Sequence, residues 1–192
     1  RPAEVSRAID AVAHDTRLAP LLDLDKVGVF GGSAGGHTAL SFAGGAWSPA
    51  RFRQHCEAHI ADDFSSCVGF ITRLHGNLLD GLKKWFALAV IRHRFGDDTA
   101  YTHQDPRVQA TVASVPFAAD FDMASLAHPR IALGLVTAGM DVNQVPRFHS
   151  SAVLAACQDR CTHVAHLPGA SHGAMLSPMP PLHLLNDVQT AL

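Results

Sequence analysis

The chain has 192 residues, of which 47% are hydrophobic and 17% charged, a composition typical of a single folded domain. Its formal net charge is −2, and no cluster of Lys or Arg is interleaved with aromatic residues, which argues against a nucleic-acid-binding surface. No apolar run reaches the roughly 18 to 20 residues of a membrane span, so neither nucleic acid nor a membrane span is expected.

The first predicted elements are a helix, a strand and a second helix. A helix is predicted over residues 3–22, because Pro2 suits a first turn and apolar residues recur on one face, namely Val5, Ile9, Val12 and Ala13. The next segment, 27–30, is apolar throughout, which predicts a parallel strand covered on both faces. A small-residue helix is expected after Ser33, ending at Gly44.

The pattern Gly31-x-Ser33-x-Gly35 lies between this strand and the following helix. It is the nucleophile-elbow pattern, in which a serine at a sharp turn holds its hydroxyl clear of the sheet. The two glycines are expected to let the strand and the helix approach each other closely. Because Ala34 begins the helix, its N–H is free to meet negative charge beside Ser33. The pattern therefore predicts Ser33 as a nucleophile and Ala34 as half of an oxyanion hole, with a chance match as the alternative.

Residues 47–105 depart from the strand–helix pattern and predict an excursion, or cap, after the helix that follows Ser33. Within it, the apolar segment 78–95 predicts a helix with one broad apolar face, formed by Leu78, Leu82, Trp85, Phe86, Ala89 and Val90. Two interpretations of this face stay open. It is either a lid over an apolar pocket or a surface that covers the core.

The four cysteines fall into two close pairs, Cys56 with Cys67 and Cys157 with Cys161. We predict local disulfides within each pair, with Cα atoms closer than roughly 7 Å. Paired cysteines would favour a periplasmic or secreted protein, whereas four free thiols would favour a cytosolic one.

A metal site is a weaker interpretation of the histidines in the cap. His55 and His59 flank Cys56 and Glu57, but no second ligand pair has the spacing of a zinc site. Neither a metal nor a cofactor is therefore predicted.

The second half of the chain alternates strands with helices. Strands are predicted over 108–115, 131–137 and 163–167, with a helix over 148–158 between the last two and a tail helix over 182–192. This alternation predicts an α/β fold in which a parallel sheet has helices on both faces, in a single domain over residues 1–192.

Three loops that follow predicted strands carry Ser33, Asp141 and His172, and in a parallel sheet such loops meet at one edge. A serine hydroxyl is a poor nucleophile at neutral pH, so it needs an imidazole to take its proton and a carboxylate to orient the imidazole. The order serine, acid, histidine is typical of hydrolases with a nucleophile elbow. The alternatives are Asp120 or Asp122 as the acid and His163 or His166 as the base, while His37, Asn143 and His149 are expected to be structural.

Four segments together resemble the α/β-hydrolases, and most closely the dienelactone-hydrolase-like proteins related to platelet-activating-factor acetylhydrolases. They are Gly31-Gly32-Ser33-Ala34-Gly35-Gly36, Asp105-Pro106-Arg107-Val108, Ala138-Gly139-Met140-Asp141 and Leu167-Pro168-Gly169-Ala170-Ser171-His172. The resemblance implies an ester hydrolase with Ser33 as nucleophile, Asp141 as acid, His172 as base and no cofactor. Dienelactone hydrolases, however, have a cysteine where this chain has Ser33.

Members of that family also have strands before the elbow, including a loop that supplies a second oxyanion donor. An upstream segment or a second chain is therefore expected to complete the sheet beside strand 27–30, and residues 1–192 alone are expected to hydrolyse esters slowly. The predicted function is a serine esterase that works through an acyl-enzyme on a small-molecule ester. The alternatives are a peptidase or acyltransferase with the same three residues, or a catalytically silent hydrolase fold used for binding.

Overall fold

A computed structural model describes residues 1–69 and 71–174 of the protein. It contains a four-stranded parallel sheet with the strands in chain order, β1 (Val27–Gly32), β2 (Val108–Ser114), β3 (Ala132–Ala138) and β4 (Thr162–Leu167). The predicted α/β class and parallel sheet are confirmed, and each strand lies within two residues of its predicted bounds. The predicted tail helix over 182–192 lies outside the described residues.

The described helices lie before the first strand and between the strands. The α-helices of the described residues are α1 (Pro2–His14), α2 (Ala34–Phe42), α3 (Pro49–His59), α4 (Phe64–Val68), α5 (Leu79–Arg94) and α6 (Ser150–Cys157). Short 3-10 turns cover Ala19–Leu21, Met123–Leu126, Pro146–Phe148 and Gln158–Arg160. Within the described part of the chain, no helix is long and apolar enough to cross a membrane.

The first helix is shorter than the predicted helix over 3–22, since α1 ends at His14. Asp15 has extended backbone angles, with φ −80° and ψ 111°. Its carboxylate accepts a hydrogen bond from the backbone N–H of Arg17 at 2.8 Å. A side chain that bonds the backbone in this way offers an alternative to helical pairing, and so it ends the helix.

The main core lies on one face of the sheet, where α2 and α6 pack against the strands. Leu40 of α2, Leu135 of β3 and Val153 of α6 are all fully buried there. The opposite face is more open, because Phe30 is 65% and Val164 53% exposed. Among the described residues, the predicted helix cover is therefore seen on one face only, and the prediction that strand 27–30 is covered on both faces is wrong. β1 is also the edge strand of the described sheet and pairs with β2 alone.

The segment 47–105 lies between α2 and β2 and contains helices α3, α4 and α5. Helices α3, α4 and α5 assemble around a small separate core that contains Cys56, Cys67 and Ile91. Both predicted cysteine pairings are confirmed, with Cα–Cα distances of 5.8 Å for Cys56–Cys67 and 5.7 Å for Cys157–Cys161.

Helix α5 packs through the side opposite to its most apolar face. Ile91 and Leu88 contact the small core of the cap, while Leu78 is 100% and Trp85 66% exposed. Phe86 and Val90 of this face line an apolar cavity of about 270 Å³ beside Cys67 and Val68, so a lid over a pocket stays a prediction. The interpretation of this face as a cover for the core is wrong for the described residues. The reason is that the disulfide and its neighbours already form a core, which needs only the narrower side of α5.

Candidate active site

Ser33 lies at the turn between β1 and α2 and has φ 54° and ψ −115°. A non-glycine residue with positive φ is strained, and the strain is held here by a hydrogen bond from Ser33 N to the Ser114 carbonyl at 3.0 Å. This is the conformation expected of an elbow, and it points the side chain away from the strand.

Only one of the two glycines expected to make this turn possible is sterically required. A Cβ on Gly31 would collide with the backbone of Gly35, whereas a Cβ on Gly35 would meet nothing within 4 Å. The tight approach on the helix side involves Gly36 instead, where a Cβ would lie 2.7 Å from Cα of Pro116. The close packing of α2 on the end of β2 thus depends on Gly36.

Ser33, His172 and Asp141 form one continuous chain of hydrogen bonds. Nδ1 of His172 lies 2.7 Å from Oδ2 of Asp141, and Nε2 of His172 lies 2.9 Å from Oγ of Ser33. Asp141 is 4% and His172 8% exposed, so water competes little for either contact. Because a carboxylate can only accept, the imidazole proton lies on Nδ1, and Nε2 is free to accept the proton of the Ser33 hydroxyl.

The carboxylate of Asp141 is oriented by the loop that carries it. Its Oδ1 accepts hydrogen bonds from the backbone N–H of Asn143 at 2.9 Å and of Gln144 at 2.8 Å. These two bonds occupy one oxygen and leave Oδ2 for His172. Asn143 therefore frames the acid loop, although its backbone rather than its side chain makes this contact.

Gln144 was not predicted from the sequence, yet its side chain reaches Ser33. The Nε2 amide donates a hydrogen bond to Ser33 Oγ at 3.1 Å, and Oε1 is buried with no hydrogen-bond partner among the described residues. Its position three residues after Asp141 was the available clue, because the loop that holds the acid ends at the same edge of the sheet as Ser33.

Ala34 is the first residue of α2, so its N–H has no partner within the helix. It shares with Ser33 a cavity of about 210 Å³, which we call the Ser33 cavity. The walls of this cavity also include Ser66, Phe117, Gln144 and His172. Two further cavities, of about 320 and 230 Å³, also have Phe117 in their walls and are lined largely by apolar groups.

The alternative acids do not contact His172. Asp120 lies 3.0 Å from Nε2 of His37, and Asp122 caps the 3-10 turn at Met123 and pairs with Arg51 at 3.1 Å. His37 therefore has a carboxylate partner of its own, which agrees with its expected structural role.

The alternative bases also lie away from Ser33. Nε2 of His163 and Nδ1 of His166 lie 3.0 and 2.7 Å from Oγ1 of Thr137, and both rings belong to β4. The loop beyond that strand, with His172, is the part that reaches the serine.

A buried network joins the cap to the acid loop, and the sequence did not predict it. Asp63 is 1% exposed, and its Oδ2 lies 2.8 Å from Nε2 of His55 and 2.9 Å from Nε2 of His149. Oγ of Ser66 lies 2.9 Å from Asp63 Oδ1 and 2.7 Å from the carbonyl oxygen of Asn143. Burial alone would raise the pKa of Asp63, but the hydrogen bonds from His149, His55 and Ser66 outweigh it and hold that pKa well below its usual range.

The same three groups, His55, Asp63 and His149, bring possible metal-ligand atoms within 4.8 Å of one another. A histidine that binds a metal through Nε2 normally carries its proton on Nδ1. In His149, Nδ1 instead accepts a hydrogen bond from the backbone N–H of Ala118 at 2.9 Å, so the proton is on Nε2 and points at Asp63. The donor set therefore fits a hydrogen-bond network rather than a cation.

The cluster considered from the sequence does not form a metal site either. Cys56 is bonded to Cys67, and Glu57 pairs with Arg92 at 2.6 Å. Of that group, only His55 takes part in the buried network.

The site as a whole combines an oriented imidazole, a hydroxyl within its reach and the Ala34 backbone N–H, which has no partner within its own helix. Such a set can deprotonate the hydroxyl and stabilise negative charge on an oxygen next to it. Comparison of the chain with known protein families, with curated proteins and with solved structures found no match.

Proposed function

We propose that the protein is a serine hydrolase that cleaves carboxylic esters, and that its domain belongs to the α/β-hydrolase fold. The observation that carries this proposal is the hydrogen-bonded chain from Asp141 through His172 to Ser33, with the serine at a strained turn between a parallel strand and a helix. Two features of the sequence also support the proposal: the order serine, acid, histidine along the chain, and the resemblance of four segments to the α/β-hydrolases. Structural serines do not require an oriented imidazole.

In this mechanism Ser33 Oγ attacks the ester carbonyl carbon while its proton passes to Nε2 of His172. The carbonyl electrons move to the oxygen, which accepts a hydrogen bond from Ala34 N–H. Asp141 holds the ring in the required tautomer and stabilises the imidazolium that forms. The carbon–alkoxy bond then breaks, and the leaving oxygen takes the proton from His172. Water next attacks the acyl carbon while His172 takes its proton, the bond from that carbon to Ser33 Oγ breaks, and Oγ recovers the proton as the carboxylic acid leaves.

The space around Ser33 favours small or medium esters with apolar parts. The Ser33 cavity holds about 210 Å³, and the two apolar cavities that share Phe117 with it hold about 320 and 230 Å³. Pockets of this kind bind the apolar portion of a substrate, while a few polar groups orient the reacting bond.

Reaction with a fluorophosphonate probe tests the proposal directly. We expect the wild-type protein to be labelled at Ser33 and to hydrolyse nitrophenyl esters, and we expect Ser33→Ala to do neither. Ser41→Ala is the matched control, because Ser41 is a buried serine of α2 whose hydroxyl bonds only the helix backbone. If the wild-type protein is not labelled, it is a catalytically silent hydrolase fold. If it is labelled but cleaves peptides or transfers acyl groups and does not hydrolyse esters, it is a peptidase or an acyltransferase.

A further inference from the structure

The side chain of Gln144 lines the Ser33 cavity and has no role in the mechanism described above for Ser33, His172 and Asp141. It comes from the loop of Asp141, and its backbone N–H is fixed by the 2.8 Å hydrogen bond to that carboxylate. Its amide nitrogen then lies 3.1 Å from Ser33 Oγ, across 111 positions of sequence. One residue thus contacts both the acid and the serine.

The direction of this hydrogen bond follows from the protons of its neighbours. Because the His172 proton on Nδ1 faces Asp141, the Ser33 hydroxyl donates its only proton to His172 Nε2. Ser33 Oγ therefore offers Gln144 only lone pairs, and the amide must present its N–H rather than its carbonyl. The Gln144 amide is a donor aimed at the reacting atom.

The other end of the amide is also informative. Oε1 of Gln144 is buried and has no hydrogen-bond partner among the described residues. Buried side-chain amides that serve only structure are normally satisfied at both ends, because an unpaired buried acceptor is unfavourable. The position of this side chain is thus explained by the hydrogen bond that its N–H donates to Ser33 Oγ.

We infer that the Gln144 amide is the second oxyanion donor of this site and acts together with the Ala34 N–H. The inference rests on the proposed ester hydrolysis. Both donors line the same cavity as Ser33. In this role the Gln144 amide changes its acceptor, from the Ser33 hydroxyl oxygen in the ground state to the former carbonyl oxygen of the substrate in the transition state.

Before reaction the amide meets a neutral hydroxyl oxygen. When Oγ bonds to the carbonyl carbon, its proton goes to His172 and the carbonyl π electrons become a lone pair on the former carbonyl oxygen. That oxygen is two bonds from Oγ and carries the negative charge, so it is a stronger acceptor than the hydroxyl was. A hydrogen bond that strengthens only in the transition state lowers the barrier to the chemical step.

Two variants remove the donor while keeping the size of the side chain. Gln144→Met has similar length and no N–H, and Gln144→Glu has the same shape with a second acceptor in place of the donor. With nitrophenyl acetate we expect kcat to fall about 100- to 1,000-fold in Gln144→Met, with KM changed by less than about threefold, as for loss of one oxyanion donor. In Gln144→Glu, kcat should fall further than in Gln144→Met. Gln54→Met, an exposed glutamine of α3, is the matched control and should retain wild-type turnover.

A trifluoromethyl ketone distinguishes a catalytic donor from a structural one, because it forms a tetrahedral oxyanion on Ser33. We expect its inhibition constant to rise in Gln144→Met by the same factor by which kcat/KM falls, while the inhibition constant of the corresponding alcohol, which forms no oxyanion, stays unchanged. Wild-type turnover in both Gln144 variants would overturn the inference, as would a loss of kcat with unchanged affinity for the ketone. Failure of the wild-type protein to react with fluorophosphonate would instead overturn the proposed function itself.

Discussion

Ser33 shows how a strained residue is held where chemistry is proposed. A positive φ in a non-glycine residue costs of order 1–3 kcal/mol, so neighbouring bonds must enforce it. Ser33 N donates to the Ser114 carbonyl at 3.0 Å, and Phe117 N donates to the Ser33 carbonyl at 3.2 Å. Val115, between those partners, has a φ of 37°. The strain is therefore shared by the adjoining ends of β1 and β2.

The glycines around Ser33 should respond differently to alanine. Gly31→Ala and Gly36→Ala should each lower the free energy of unfolding by about 1–3 kcal/mol, because a Cβ at either position would overlap backbone atoms. Gly35→Ala should leave it unchanged or raise it by up to about 1 kcal/mol, because the space is open and alanine favours the helix. Urea unfolding followed by circular dichroism would measure all three. Equal losses in the three variants would contradict this account.

Substitution of Asp141 and Asp120, two of the buried acids, separates the orienting carboxylate from a structural one. Asp141→Asn should lower ester kcat by about 10⁴-fold, since an amide can no longer hold the imidazole in its required tautomer. Asp120→Asn should retain kcat within about tenfold, because Asp120 contacts His37 rather than His172. Nitrophenyl acetate turnover measures both. The reverse order of effects would show that Asp120 is the functional acid.

The positions of Ser33, Asp141 and His172 followed from the sequence because each lies just beyond a recognisable strand. Their actual contact was a consequence of parallel strands ending at one edge. Gln144 and Asp63 were missed, because their contacts join segments 111 and 86 positions apart and depend on side-chain directions within loops. For Gln144 the only clue in the sequence was its position three residues after Asp141, and for Asp63 the sequence analysis found none.

At the scale of elements, α4 connects the cap to the acid loop. Asp63 precedes this helix and Ser66 lies within it, and together they bond His149 and the Asn143 carbonyl. Because the Asn143 N–H in turn holds Asp141, the position of the cap and that of the acid are coupled through two hydrogen bonds, from Ser66 to the Asn143 carbonyl and from the Asn143 N–H to Asp141.

The Asp63 network should make stability depend on pH in a defined window. The pKa of Asp63 is depressed on folding, so its contribution is fully present above the ordinary aspartate pKa of about 4 and is lost as the pH falls below it. Asp63→Asn should therefore lower the unfolding free energy by about 3–5 kcal/mol at pH 6, and this difference should shrink progressively below pH 4. Urea titrations between pH 3 and pH 7 would show it. A difference that is constant over this range would contradict the prediction.

Helix α5 shows what periodicity does and does not predict. Its existence and approximate bounds followed from the apolar spacing, and the bounds differ by one residue at each end. The apolar spacing did not predict which side of α5 is buried, because the positions of Leu82, Trp85 and Phe86 show only that these residues share a face. The disulfide-centred core of the cap, which the sequence did not reveal, determined that the opposite side is buried.

At the scale of the whole molecule, the described sheet is asymmetric. One face is covered by α2 and α6, whereas the other exposes Phe30 and Val164. The parallel direction of the strands was predicted, because alternation of strands and helices favours parallel pairing. The strand order was not predicted. The number of helices that pack on each face of the sheet was not predictable, because it depends on the face to which each connecting helix crosses.

The local pairing of the cysteines divides the chain into two covalent halves. Cys56–Cys67 lies wholly before residue 96 and Cys157–Cys161 wholly after it, so a single cut after Gly96, in the exposed return from the cap, would leave no covalent link. The first half would carry Ser33, and the second Asp141 and His172. We expect the cut protein to migrate as two bands on a non-reducing denaturing gel, yet to keep its fluorophosphonate reactivity in native buffer, because β1 and β2 stay paired.

Separation of the halves should abolish that reactivity, and mixing them should restore it. Reactivity of the isolated first half would show that Ser33 is activated without His172. If separation abolishes the reactivity and mixing restores it, the fold behaves as a complementing pair of fragments, in which neither polypeptide is a hydrolase and pairing of their edge strands switches the activity on.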